Sequence, residues 1–280
     1  MKPRIVRSVA SLRRETAAWR INSHRYALVP TMGALHDGHL TLVREALVRA
    51  DRVIATIFIN PKQFAANEDL GRYPRDEDGD VRKLARAGCH LIFAPPPDEM
   101  YRDGFATTVS LAGPAKAGLE DKFRPQFFDG VTTVVAKLFL QTGADYAMFG
   151  EKDYQQLMVV TRMAKDLDMP IEVVGVPTVR EPDGLAMSSR NRYLSKIERQ
   201  QATAIHEALQ LAAGKIRAGI DPQTASRSAT RALTTQGFRV DYVTARNAEN
   251  LAVPESRGEP LRLIAAAWLG ATRLIDNIPV

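Results

Sequence analysis

The stretch Tyr26-Ala27-Leu28-Val29-Pro30-Thr31-Met32-Gly33-Ala34-Leu35-His36-Asp37-Gly38-His39 decides how this chain of 280 residues is read. Residues 26–29 form an apolar run of strand length. Leu40, Val43 and Leu47 then recur at helical spacing, which predicts a helix over 39–50. Between the two, Gly33 permits a tight turn, and Gly38 would let a phosphate approach the helix start without meeting a Cβ. A helix N-terminus offers an anion free N–H groups and the positive end of a dipole. His36 and His39 are three residues apart, so their imidazoles can point the same way. This combination suits a polyphosphate whose charge grows in a transition state. A surface pair of histidines, or two ligands of a transition metal, are the alternatives, and the metal reading lacks a third ligand nearby.

The alternation continues on either side. Strands are expected over 4–6, 53–59, 91–93, 146–149 and 171–176, and helices from residue 11 and over 80–87, 131–140 and 154–167. Strands alternating with helices imply right-handed crossovers and a parallel sheet that binds ligands at its carboxyl ends. After residue 177 the pattern changes. One long helix is expected over 196–218 and another over 222–235, separated by a Gly219 stop and an Asp221 cap, and followed by two antiparallel β-rich runs, 238–244 and 261–269. The fold class expected is α/β: a Rossmann-like parallel sheet over 1–177 and a smaller α+β domain over 178–280, hinged near 177–183.

Composition narrows the field. Hydrophobic residues make up 45% and charged residues 25%, an ordinary globular balance. Cys89 is the lone cysteine, so a disulfide framework is excluded, and one Cys with five scattered His does not make a structural zinc site. The longest apolar stretch, 263–269, falls far short of the roughly 20 residues of a membrane span. A soluble, cytoplasmic protein with no membrane partner is expected. The net charge of +6 is spread along the chain, and Trp19 and Trp268 read as packing residues, so nucleic acid is not expected as a partner.

A second segment with chemical content is Met187-Ser188-Ser189-Arg190-Asn191, two hydroxyls beside a permanently charged guanidinium. Together with the strand–HxGH–helix unit it resembles the pairing shared by nucleotidylyltransferases and class I aminoacyl-tRNA synthetases. In both, the α-phosphorus of ATP is attacked and pyrophosphate leaves. Four more segments narrow the likeness: 56–64 with Gln63; 149–157 with Gly150, Glu151, Lys152, Asp153 and Gln156; Tyr73-Pro74-Arg75 with Asp80; and 176–184 with Val179. With the run 266–277, this ordered set resembles the pantothenate synthetase (pantoate–β-alanine ligase) family from residue 4 to residue 277.

The resemblance implies an activity and roles. The family condenses (R)-pantoate with β-alanine through pantoyl adenylate, using ATP and Mg²⁺, and is typically homodimeric. By resemblance, Met32, Gly33, Ala34, Leu35, His36, Asp37, Gly38 and His39 form the ATP loop, with His39 as proton donor. Gly150, Glu151, Lys152 and Asp153 would join them, Lys152 meeting the α-phosphate and Asp153 the ribose. Val179, Met187, Ser188, Ser189 and Arg190 would hold adenine and phosphates, the C-terminal domain acting as a lid. His39, His36, Lys152 and Arg190 are the catalytic candidates. Gln63 and Gln156 match the pantoate-binding amides, Arg124 a basic residue on the pantoate or phosphate side, and Asp80 a position associated with Mg²⁺. The chain departs from the family pattern at Phe127, which stands where a histidine is usual.

Overall fold

The computed structural model describes residues 2–65, 68–256 and 258–280. Six short strands form one parallel sheet: β1 (Arg4–Val6), β2 (Tyr26–Val29), β3 (Arg52–Thr56), β4 (Leu91–Phe93), β5 (Tyr146–Gly150) and β6 (Glu172–Val176). Their spatial order is β1-β4-β3-β2-β5-β6. From β2 the chain steps to one side for β3 and β4, then returns to the other side of β2 for β5 and β6. The switch point therefore falls between β2 and β5, where a crevice opens beyond the carboxyl ends. The loops leaving these two strands carry the paired histidines and Lys152.

Alternation along β2 divides the packing. Tyr26 and Leu28 join a core with Leu12 of α1 (Val9–Ile21), while Ala27 and Val29 join another with Val43 and Ala46 of α2 (Asp37–Arg49) and Leu84 of α3 (Glu77–Ala87). A short α4 (Pro97–Met100) and α5 (Glu120–Phe123) precede α6 (Phe127–Thr142), which is apolar almost all round and buried accordingly. With α7 (Tyr154–Asp166), α6 completes the first core.

Beyond β6, α8 (Lys196–Gln201), α9 (Ala204–Arg217) and α10 (Pro222–Thr235) lead into an antiparallel sheet of β7 (Arg239–Asn247), β8 (Leu261–Leu269) and β9 (Thr272–Pro279). Leu209, Ala213, Ala229 and Leu233 pack on Leu263, Ala265 and Ala267, giving this C-terminal domain its own core. Small residues on both layers bring helices and sheet close together.

Four local expectations are corrected. The single helix over 196–218 is two, because the chain turns at Thr203, whose hydroxyl bonds the Gln200 carbonyl. The strand expected over 53–59 ends at Thr56, and Asn60 caps a 3₁₀ turn opened by Pro61. α2 begins at Asp37 rather than 39, with His36 at its N-cap. A third antiparallel strand, β9, follows a tight turn at Gly270, where φ is +55° and an added Cβ would collide with the Glu198 carboxylate.

Candidate active site

The loop after β2 is fixed from below by one carboxylate. Asp80, on α3 and 1% exposed, accepts hydrogen bonds from the N–H groups of Ala34 and Leu35, both at 2.8 Å. Lys83, one turn on, donates to the Leu35 carbonyl at 2.8 Å and lies 3.7 Å from Asp80. Gly33 is at φ +80°, and a Cβ there would come within 3.0 Å of Asp80. Both oxygens of Asp80, the position read above as associated with Mg²⁺, thus accept from the backbone. Ala34 follows at φ +52°, a conformation that this clamp sustains.

The imidazoles of His36 and His39 lie 4.1 Å apart between ring centroids. The His36 N–H donates to Nδ1 of His39 at 3.3 Å, so in the neutral ring Nε2 of His39 carries the proton. Burial, reinforced by the Lys152 ammonium, lowers the His36 pKa to about 4. Burial also holds His39 well below its usual value, with His36 and Lys152 adding to the effect. Both rings are neutral near pH 7. At Gly38 the missing Cβ also leaves room for the His36 ring, 2.9 Å from where that atom would stand.

The turn after β5 is tied to the C-terminal domain. Asn277 donates to the carbonyls of Glu151 and Lys152 at 2.8 and 2.9 Å, and Arg262 pairs with Glu151 at 2.8 Å. Glu151 therefore positions the turn and does not line the cavity. The loop over 187–190 closes from the same side. The Ser189 hydroxyl donates to the Ala34 carbonyl at 2.9 Å, and Ser188 accepts from the Arg190 N–H at 3.2 Å. Behind it, Arg180 makes a bidentate pair with fully buried Asp276 at 2.8 and 2.9 Å.

A single cavity of about 570 Å³ joins these parts. Met32, His36, Gly38 and His39 line it from the first loop, Gly150, Lys152 and Asp153 from the second, and Val179 and Met187–Arg190 from the third. Gln63, Arg124, Phe127 and Gln156 line it farther along. Gly33, Ala34 and Leu35 stand behind the wall, and Asp37 is exposed outside it. Among the lining residues that sequence reasoning missed are Glu68, paired with Arg124 at 2.6 Å, and Asp69, paired with Arg190 at 3.1 Å. Nothing in their local sequence distinguishes them from solvated acids, because their partners are 56 and 121 residues away.

A doubly wound sheet with paired histidines at its switch point and a Ser-Ser-Arg loop bonded to that histidine loop defines an α/β protein of nucleotide-handling type. Comparison sharpens the class. The Pantoate-beta-alanine ligase family model matches residues 4–279. Pantothenate synthetases from Bradyrhizobium sp. and Caulobacter vibrioides are 56% and 55% identical, each over 99% of this chain and of its own length. The crystal structure of pantothenate synthetase from Thermus thermophilus superposes with a TM-score of 0.92 at 46% identity, covering 98% of both chains. The Francisella tularensis pantoate-beta-alanine ligase, complexed with beta-gamma ATP and beta-alanine, gives a TM-score of 0.83 at 30% identity, covering 99% of this chain and 97% of that one. The chain belongs to the pantoate–β-alanine ligase family.

Proposed function

We infer that this chain condenses (R)-pantoate with β-alanine in two steps within the one cavity, using ATP. In the first, a pantoate carboxylate oxygen attacks the α-phosphorus of ATP. A new P–O bond forms, the bond to the β-phosphate breaks, and pyrophosphate leaves with pantoyl adenylate remaining. In the second, the free amine of β-alanine attacks the acyl carbon, the amide forms, the acyl–phosphate bond breaks and AMP leaves. The nitrogen loses a proton in the same step.

The chemistry of the lining residues supports this order. A neutral His39 whose Nε2 carries the proton can donate a hydrogen bond to a phosphate oxygen, and the incoming negative charge raises its affinity for a further proton. Its role is therefore read as hydrogen-bond donation to developing charge, with His36 beside it. Lys152 supplies a compact cation to the α-phosphate, and Ser188, Ser189 and Arg190 supply donors to the departing pyrophosphate. Asp153 can accept from ribose hydroxyls, with Gly150, Val179 and Met187 beside the nucleoside. Gln63 and Gln156 each offer a donor and an acceptor, which suits pantoate's two hydroxyls and carboxylate. The Gln63 amide oxygen already accepts from Asn60 at 3.0 Å, which orients its NH₂ group.

Mg²⁺ is read as entering with ATP rather than resting in a site made of protein ligands alone. Among the described residues no group of three His, Cys, Asp or Glu side chains could hold a metal, and Asp80 is committed to the backbone. Mg²⁺ accompanying ATP binds through the phosphates. The division at 177/178 with a lid role for the C-terminal domain and a cytoplasmic location belong to this reading as the sequence suggests them, and a homodimeric state through family resemblance. No described helix is long and apolar enough to cross a membrane.

The observation that carries the reading is the bond from Ser189 to the Ala34 carbonyl, which puts the Ser-Ser-Arg loop against the histidine loop at one cavity. The test is product analysis with purified protein. Release of AMP, pyrophosphate and pantothenate should require ATP, pantoate and β-alanine together. An AMP ester accumulating as the final product, indifferent to the amine, would instead mark a nucleotidylyltransferase.

A further inference from the structure

Two of the arginines that line the cavity, Arg124 and Arg190, are each gripped by one of two adjacent acids. Glu68 takes Nε and Nη2 of Arg124, both at 2.6 Å, and Asp69 takes Nε and Nη2 of Arg190, both at 3.1 Å. The geometry is the same in both pairs: the side edge of the fork meets the carboxylate in bidentate fashion. The outer Nη1 of Arg190 has no hydrogen-bond partner among the described residues, and that of Arg124 stands 3.6 Å from Glu120. Arg124 is further fixed, because its Nη2 donates to the Gln63 carbonyl at 2.9 Å and its guanidinium lies 3.7 Å over the Phe127 ring.

We propose that Glu68 and Asp69 are positioning residues, one turn of chain that separately aims Arg124 at the acid substrate and Arg190 at the ATP phosphates. A carboxylate near an anion-binding site weakens anion binding by Coulomb repulsion, so its presence needs a compensating gain. That gain is a guanidinium whose rotamer freedom is already lost before the substrate arrives. Arg124 acts on the acid side in part through Gln63, whose backbone it holds. Phe127 fits the same device, because its face supports the guanidinium where an imidazole would compete for its donors.

This inference rests on the function proposed above and is tested apart from it. If wild-type protein shows no pantoate-dependent pyrophosphate release, the function is wrong and the arginines' targets are open. If wild-type protein is active, D69N should raise the KM for ATP about tenfold and leave the KM for pantoate within about twofold. E68Q should do the reverse. Because Asp69 acts only through Arg190, D69N should add nothing further in an R190K background. A double variant that multiplies the two losses would overturn the proposal. So would constants unmoved by either substitution, or both constants moving equally with each. Should the neutral variants fail to fold, Glu68→Asp and Asp69→Glu keep the charge while moving the carboxylate, and the same separation of KM values is expected.

Discussion

The side chains of the proposed nucleotide rim stand on a backbone that is clamped from behind. Ala34 and Leu35 are locked by N–H bonds to buried Asp80, by the Lys83 contact and by a hydroxyl from Ser189. The acid rim is built of side chains, with Arg124, Glu68, Glu120 and Gln63 holding one another across three separate segments. A clamped backbone holds the nucleotide-rim side chains in one geometry, which suits a charge-rich triphosphate. A side-chain site can be retuned one residue at a time, and Phe127 stands on this rim.

The largest effects should fall on the nucleotide rim. Lys152→Ala and His39→Ala should each cut adenylate formation about 10²- to 10⁴-fold while leaving the fold intact, measured as pantoate-dependent pyrophosphate release in single turnovers. Near-normal turnover in either would remove that residue from the chemistry. Asp80→Asn keeps the shape but turns one acceptor into a donor that faces a backbone N–H. It should cost about 2–4 kcal/mol of stability in denaturant unfolding and weaken ATP binding with it. Unchanged stability would mean that the carboxylate does not clamp the loop.

A smaller effect follows from the buried imidazoles. His36 has a folded pKa of about 4, below the ordinary value of 6.5, so between these two pH values the unfolded chain binds more protons than the folded one. Stability should therefore rise with pH across this window and fall as pH drops from 6.5 toward 4, with His39 adding in the same direction. His36→Gln should flatten the curve, and a slope unaltered by the substitution would contradict the burial argument. The smallest effect belongs to the acid rim. Phe127→His exchanges a stacked ring for a weaker one and should shift the pantoate KM by less than about fivefold, with the ATP KM unmoved.

Much of the parallel domain was legible because its signals are local. Apolar runs of strand length, Gly33 in the turn and helical spacing from Leu40 onward led to the right sheet and to the mouth of the right crossover. The histidine loop and the Lys152 turn were legible for the same reason, since each ends a strand, and the Ser-Ser-Arg loop by its residue types. What was not legible depends on partners distant in sequence. Asp80 looked like a solvated or metal-binding acid until the fold brought it under Ala34 and Leu35, 46 and 45 residues away. Glu68 and Asp69 were silent, as were the bonds from Arg262 and Asn277 that reach Glu151 across more than a hundred residues. The break at Thr203 was hidden by a helical pattern that continues through it. Strand β9 carries only the weak alternation of a hairpin partner.

The central claim is that the histidine loop and the Ser-Ser-Arg loop grip one triphosphate whose α-phosphorus is attacked by a carboxylate. It is tested most directly by isotope exchange between labelled pyrophosphate and ATP with β-alanine left out. The label should enter ATP only when pantoate is present, because the first step then runs forward and back without the amine, and Lys152→Ala should abolish the exchange. Exchange that proceeds without pantoate, or that appears only once β-alanine is added, would contradict it.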